Sequence, residues 1–185
     1  NMVFTGSHDK TLYGIDIKHG EIKWTFNTKG YIDSAPLIHN GIIYFGSYDS
    51  ILYAVDIESK KEIWKYKTEA PIKTSPAFSE DKTAIFLGNS NNVYAISIDG
   101  QKLWSLKIGG EITSSPIFHN NHIYVGAEDG NVYDIEFKKD SGQIIRKFKT
   151  EGPISGSPSI FDNVLYVGSR DNNIYAFNIE NGDMK

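Results

Sequence analysis

The chain has 185 residues and a formal charge of −4, with 39% hydrophobic and 13% aromatic residues and no cysteine. The acidic balance argues against a nucleic-acid partner, which calls for a basic surplus, and no apolar run approaches the roughly 20 residues that span a bilayer. Without cysteine there can be no disulfide, thiolate zinc site or Cys nucleophile.

Residues 1–30 open with an apolar run ending at Gly6 and continue through Gly6-Ser7-His8-Asp9, Leu12-Tyr13-Gly14 and Asp16 to Gly20 and Trp24. Residues 31–70 repeat that order after a Ser34-Ala35-Pro36 block, with Gly46-Ser47-Tyr48-Asp49, Leu52-Tyr53-Ala54, Asp56, Lys60 and Trp64. Apolar residues alternating at period two predict four strands in this unit, at 32–39, 42–46, 51–57 and 62–67. Turn formers at 40–41, 47–50 and 58–61 separate them. Residues 71–110 carry Ser75-Pro76, Gly88, Tyr94-Ala95, Ser97, Gly100 and Trp104. Residues 111–152 carry Ser115-Pro116, Gly126 and Tyr133, then depart from the pattern: Asp134 stands for Ala, Glu136 for Asp, the connection over 137–142 is longer, and Arg146 takes the Trp position. Residues 153–185 carry Ser157-Pro158, Gly168, Tyr175-Ala176, Asn178 for Asp, and Gly182.

The prolines Pro36, Pro76, Pro116 and Pro158 stand 40, 40 and 42 apart, and Trp24, Trp64 and Trp104 stand 40 and 40 apart. Four short strands per unit of this length is the pattern of propeller blades. The expectation is an all-β chain, a β-propeller of four-stranded antiparallel blades. It has eighteen strands: three in the first unit, twelve in the next three and three in the last, about four and a half blades. A segment of a larger propeller is expected, with a small five-bladed closure as the alternative. Neighbouring blades or another chain would complete the open ends, because open ends leave unpaired strand edges.

Each repeated residue has a structural role to expect. Trp24, Trp64 and Trp104 on outer strands lie flat over the next blade, and the stem of Arg146 can cover apolar surface in the same place. Asp16 and Asp56 accept turn amides. The Gly four before the Trp, as at Gly20 and Gly100, takes a positive φ, and small Ala54, Ala95 and Ala176 leave room for the ring. Gly6, Gly46, Gly88, Gly126 and Gly168 each end an apolar run.

The order Gly-Ser-x-Asp-x-x-Leu-Tyr-[Ala/Gly]-x-Asp, followed by Gly and by Trp four later, resembles the tryptophan-docking repeat of the pyrroloquinoline-quinone (PQQ) enzyme family and its non-enzymatic propeller relatives. Those relatives include the outer-membrane β-barrel assembly lipoprotein and the luminal or extracellular sensor domains of some kinases. The resemblance implies a periplasmic, secreted or cell-surface location. For the enzymes of the family it implies PQQ, calcium, a catalytic Asp and adjacent cysteines over the cofactor. This chain has no Cys and no local cluster matching that calcium site, so the expectation is a non-catalytic scaffold or sensor propeller. It would hold a protein or peptide on a face or rim and use no cofactor.

Two other readings stand beside it: a fragment of a PQQ- and calcium-dependent quinoprotein dehydrogenase with its catalytic blades elsewhere, and a carbohydrate or cell-surface binding module using exposed Tyr31, Tyr48 and Tyr66. Asp9, Asp49, Asp129 and Asp171 recur in the Gly-x-x-Asp turn, where they satisfy local amides or, as a ring of carboxylates, attract calcium. His8, His19, His39, His119 and His122 read as solvated turn residues. Lys138, Lys139, Arg146 and Lys147 read as a solvated basic loop that can meet a partner.

Overall fold

A computed structural model describes residues 1–185, with eighteen β-strands and no helix. The strands form five antiparallel sheets of three, four, four, four and three strands. They fall into two compact units, Asn1–Pro76 and Ala77–Lys185.

In the first unit, β1 (Met2–Gly6), β2 (Thr11–Asp16) and β3 (Ile22–Asn27) form the first sheet. The second sheet has β4 (Leu37–His39), β5 (Ile42–Gly46), β6 (Ile51–Asp56) and β7 (Glu62–Lys67) in sequence order. The strand expected over 32–39 shortens to Leu37–His39. Pro36 has no N–H for a ladder, and the residues before it bond elsewhere: the Ser34 hydroxyl donates to the Gly46 carbonyl at 2.8 Å and accepts the Gly46 N–H at 2.9 Å. Leu12, Trp24, Ile32, Ile43, Phe45, Tyr53 and Val55 bury together as the core of this unit.

The hairpins are made by the repeat residues. Asp16 Oδ1 accepts the His19 N–H at 2.8 Å and Asp56 Oδ1 accepts that of Ser59 at 2.7 Å. Gly20 sits at φ 70°, and Lys60 takes the same left-handed conformation at φ 59°.

In the second unit, β8 (Ala77–Phe78), β9 (Ala84–Asn89), β10 (Asn92–Ser97) and β11 (Lys102–Lys107) form the third sheet. The fourth has β12 (Ile117–His119), β13 (His122–Gly126), β14 (Asn131–Lys138) and β15 (Ser141–Lys149). The fifth has β16 (Ser159–Phe161), β17 (Val164–Gly168) and β18 (Ile174–Asn178). The long connection expected over 137–142 is instead mostly ladder, with Phe137 opposite Gly142 and Lys138 opposite Ser141. After β18 the chain reverses at Gly182 (φ 86°), Met184 bridges Phe177, and the Lys185 N–H donates to the Ala176 carbonyl at 2.8 Å.

Two apolar clusters fill this unit. One is centred on Phe86, Ala95, Trp104, Ile112 and Tyr133; the other is centred on Tyr124, Phe148, Ile154, Leu165 and Phe177. The Ser-x-Pro blocks join successive sheets through their hydroxyls: the Ser115 N–H donates to Ser157 Oγ at 2.9 Å, as the Ala35 N–H does to Ser75 Oγ at 2.8 Å in the first unit.

Candidate functional site

The recurring turn carboxylates are structural. Asp9 Oδ2 accepts the Tyr13 hydroxyl at 2.6 Å, Asp49 that of Tyr53 at 2.8 Å, Asp129 that of Tyr133 at 2.5 Å and Asp171 that of Tyr175 at 2.9 Å. Their Oδ1 atoms accept the backbone N–H two residues on, from Thr11, Ile51, Asn131 and Asn173. Asp49 and Asp171 also take the N–H of Lys29 and Glu151 from the incoming connections. The Tyr13 hydroxyl holds Asp9 below the usual carboxylate range. Burial, with the bond to Asp129, pushes Tyr133 up to about 12. No group of three or more His, Asp or Glu side chains is placed to hold a metal ion. These carboxylate oxygens are thus engaged by their own tyrosines and by amides of the turns and incoming connections.

The outer strands dock as one repeated device. Trp24 is 3% exposed, and its indole N–H donates to the Ile57 carbonyl at 2.9 Å; that of Trp104 donates to the Lys138 carbonyl at 2.9 Å. Arg146 does the same work with a guanidinium, donating to the carbonyls of Ile179 at 2.8 Å and Glu180 at 3.0 Å. Trp64 is half-buried and packs on Tyr44, with ring centroids 5.8 Å apart.

Each of these residues faces a small one across the strand pair, Gly14 opposite Trp24, Ala54 opposite Trp64 and Ala95 opposite Trp104, with a register shift at the next residue that re-aims the side chain. In the fourth sheet the pair becomes Asp134 opposite Arg146. Both departures from the repeat thus fall on one cross-strand pair, a carboxylate and a guanidinium in place of a small residue and an indole. A signal for Trp104 that sequence reasoning missed is Gly142, where a Cβ would come within 2.6 Å of the indole ring.

Asp134 is 2% exposed, and burial raises its pKa, opposed by a 2.5 Å bond from His122 Nδ1 and by the nearby charge of Arg146. His122 is therefore a strand residue tied to a buried carboxylate, and not a solvated turn residue. His122, Tyr124, Asp134, Arg146, Ile179 and Glu180 surround a cavity of about 320 Å³. Of the basic residues, Arg146 turns inward, whereas Lys138, Lys139 and Lys147 are exposed, Lys147 Nζ lying 4.9 Å from the Tyr133 ring centre and Lys138 pairing with Glu136 at 2.9 Å.

The first unit carries an aromatic surface cluster. The His8 ring stacks on Tyr31 at 5.0 Å and 12°, and Tyr31 lies 5.9 Å from Tyr48. Asp33 joins the two ends: His8 Nε2 bonds its Oδ1 at 2.6 Å, and the Tyr48 hydroxyl bonds the same carboxylate, which raises the tyrosine's pKa. Tyr31 is 46% exposed. Of the three tyrosines expected to be exposed, only Tyr31 is so; Tyr48 and Tyr66 are half-buried, and burial raises the pKa of Tyr66.

Comparison with known proteins agrees with this architecture. No curated protein matches the chain. The crystal structure of BamB from Moraxella catarrhalis superposes with a TM-score of 0.79 at 23% identity, over 95% of this chain and 55% of that one. The chain thus spans about half the length of that relative, and the likeness places it among the β-propellers. The profile of the family described as outer membrane protein assembly factor BamB matches residues 1–134 and again 90–185. With both matches together spanning its whole length, this chain belongs to the BamB family of PQQ-like repeat propellers.

Proposed function

We propose that the chain is a non-catalytic, protein- or peptide-binding propeller segment of the cell envelope, and that the His8–Tyr31–Tyr48 cluster is its contact surface. The carrying observation is that cluster: stacked rings held by one carboxylate, with an exposed tyrosine at the centre. Tyrosines fixed in place bring large contact area at small entropic cost and are enriched at protein interfaces. The family's description as an assembly factor supports a protein partner and an envelope location. The turn carboxylates, consumed by their own tyrosines and amides, speak against a quinoprotein role.

The test replaces Tyr31 with a photo-crosslinking phenylalanine in the native host. The expected result is a discrete protein adduct that falls at least about fivefold when Tyr48→Ala and His8→Ala are added, the loss typical of a central interface residue. Absence of any protein adduct, together with binding to a glycan array, would favour the carbohydrate reading. Dye reduction on adding PQQ and calcium would overturn the non-catalytic one.

A further inference from the structure

Asp134 is the one charged residue among the buried ones, and it stands where the repeat has Gly14, Ala54, Ala95 and Ala176. Burying a carboxylate in place of a methyl group or a hydrogen costs free energy. Docking does not require it, since the first three sheets dock their Trp across from a small residue. His122 bonds Oδ1 alone. Oδ2 accepts no hydrogen bond, and it is not sealed in, because Asp134 lines the cavity of about 320 Å³ between the fourth and fifth sheets. A desolvated carboxylate open to a cavity marks a functional-site candidate.

The rest of the lining decides what the cavity can take. The guanidinium of Arg146 is spent on the carbonyls of Ile179 and Glu180, and the Asn120 side-chain amide is tied to His119 Nε2 at 3.0 Å. The open charged groups are therefore acceptors: Asp134 Oδ2 and the Glu180 carboxylate, whose Oε1 receives only the side-chain amide of Asn163 at 3.0 Å. Tyr124, Ile145 and Ile179 supply apolar walls. Two carboxylates against one guanidinium leave one negative charge, and Glu136, two residues along β14, is already paired with Lys138 at 2.9 Å.

We infer that this cavity binds a small organic monocation, an alkylammonium or arylammonium, whose N–H groups donate to Asp134 Oδ2 and the Glu180 carboxylate while its apolar part lies against Tyr124, Ile145 and Ile179. A monocation closes the charge balance of the lining. A neutral ligand leaves the surplus negative charge in place, and an anion would face both carboxylates. The volume lies at the small end of the range for ligand pockets, roughly 300–1,000 Å³, which suits a ligand of a few heavy atoms. The inference rests on this cavity alone and is independent of what the aromatic cluster binds.

The test titrates the isotope-labelled full chain with n-butylammonium and benzylammonium, and with n-butanol, benzyl alcohol and butyrate as neutral and anionic counterparts, following backbone amide NMR shifts. The expected result is a saturable shift at His122, Asp134, Arg146 and Glu180 with at least one amine, at least about tenfold tighter than with the matching alcohol, which is the worth of one hydrogen bond to a charged group. Asp134→Asn, which keeps the shape and removes the charge, should weaken the amine at least about tenfold. Glu180→Gln sits at an exposed position where folding is not at stake, and should weaken it at least about threefold. Asp134→Ala combined with Arg146→Trp, which returns the small residue and the indole of the repeat, should abolish binding. No saturable shift with either amine, equal affinity for amine and alcohol, a preference for butyrate, or an affinity unchanged by Asp134→Asn or by Glu180→Gln would each overturn the inference.

Discussion

At the scale of residues, the exchange of Ala and Trp for Asp134 and Arg146 is the most instructive feature. An indole over a small residue seals an interface by apolar burial and one N–H bond. The guanidinium keeps the carbonyl bonds, to Ile179 and Glu180, and stands across the strand pair from buried Asp134, which His122 bonds and which the charge of Arg146 favours in its ionised form. Breaking such a pair from one side leaves an uncompensated buried charge, whereas replacing both members with well-packed apolar groups is often neutral or stabilising. Asp134→Ala and Arg146→Trp are each expected to destabilise, by about 2–4 kcal/mol, while the double variant restores the repeat pair and returns to within about 1 kcal/mol of the parent. Urea denaturation of the four proteins measures the coupling; additive single effects would show that the two residues do not act as a pair. Sequence comparison between units exposed both substitutions, but not that they oppose one another, because cross-strand register is a property of the folded hairpin.

At the scale of elements, the first three hairpins into an outer strand place a left-handed residue four positions before the docking Trp: Gly20, Gly100 and, at φ 59° with the steric cost a Cβ carries there, Lys60. Lys60→Gly is therefore expected to stabilise the chain by about 0.5–1 kcal/mol, read as a shift in the urea midpoint with an unchanged slope. A destabilisation would mean that the side chain's 3.5 Å bond to the Lys23 carbonyl outweighs the strain. Elements were also where the sequence misled. The strand expected over 32–39 keeps its apolar alternation but loses its first half, since Pro36 breaks the ladder and Ser34 is committed to Gly46. Ile32 is apolar because it seats on Gly6, not because it lies in a strand.

At the scale of the whole molecule, the turn carboxylates set the response to acid. The Tyr13 hydroxyl lowers Asp9, the His19 N–H lowers Asp16, the Ser59 hydroxyl lowers Asp56 and the Ser79 hydroxyl lowers Asp81; in Asp171 desolvation pulls upward but is outweighed by bonds from Ser169, Tyr175 and Asn173. Groups with a folded pKa below the unfolded value contribute stability above about pH 4 that is lost as pH falls through the depressed values. Asp134 has the opposite sign. Its pKa is raised by burial, so its contribution is present below the unfolded value of about 4 and is lost as pH rises through the raised one. Urea midpoints between pH 2 and 8 should therefore fall steeply below about pH 4, and Asp134→Asn should remove only the loss between about pH 4 and neutrality. A variant curve parallel to the parent's throughout would refute the assignment to Asp134.

The sequence by itself determined the class of fold and its period, because a blade is a local object: its turns, its alternation and its docking residue all lie within some 40 consecutive positions, and five copies repeat the message. It also showed where the fourth copy deviates. Tertiary structure decided what those residues are for. Only the packed sheets show that the turn aspartates are spent on tyrosines 4 positions away, that His122 is held by a buried carboxylate, and that His8, Tyr31 and Tyr48 converge around Asp33. Such meetings join residues from different strands and different repeats. Periodicity records that a position recurs, but not what stands across from it in space.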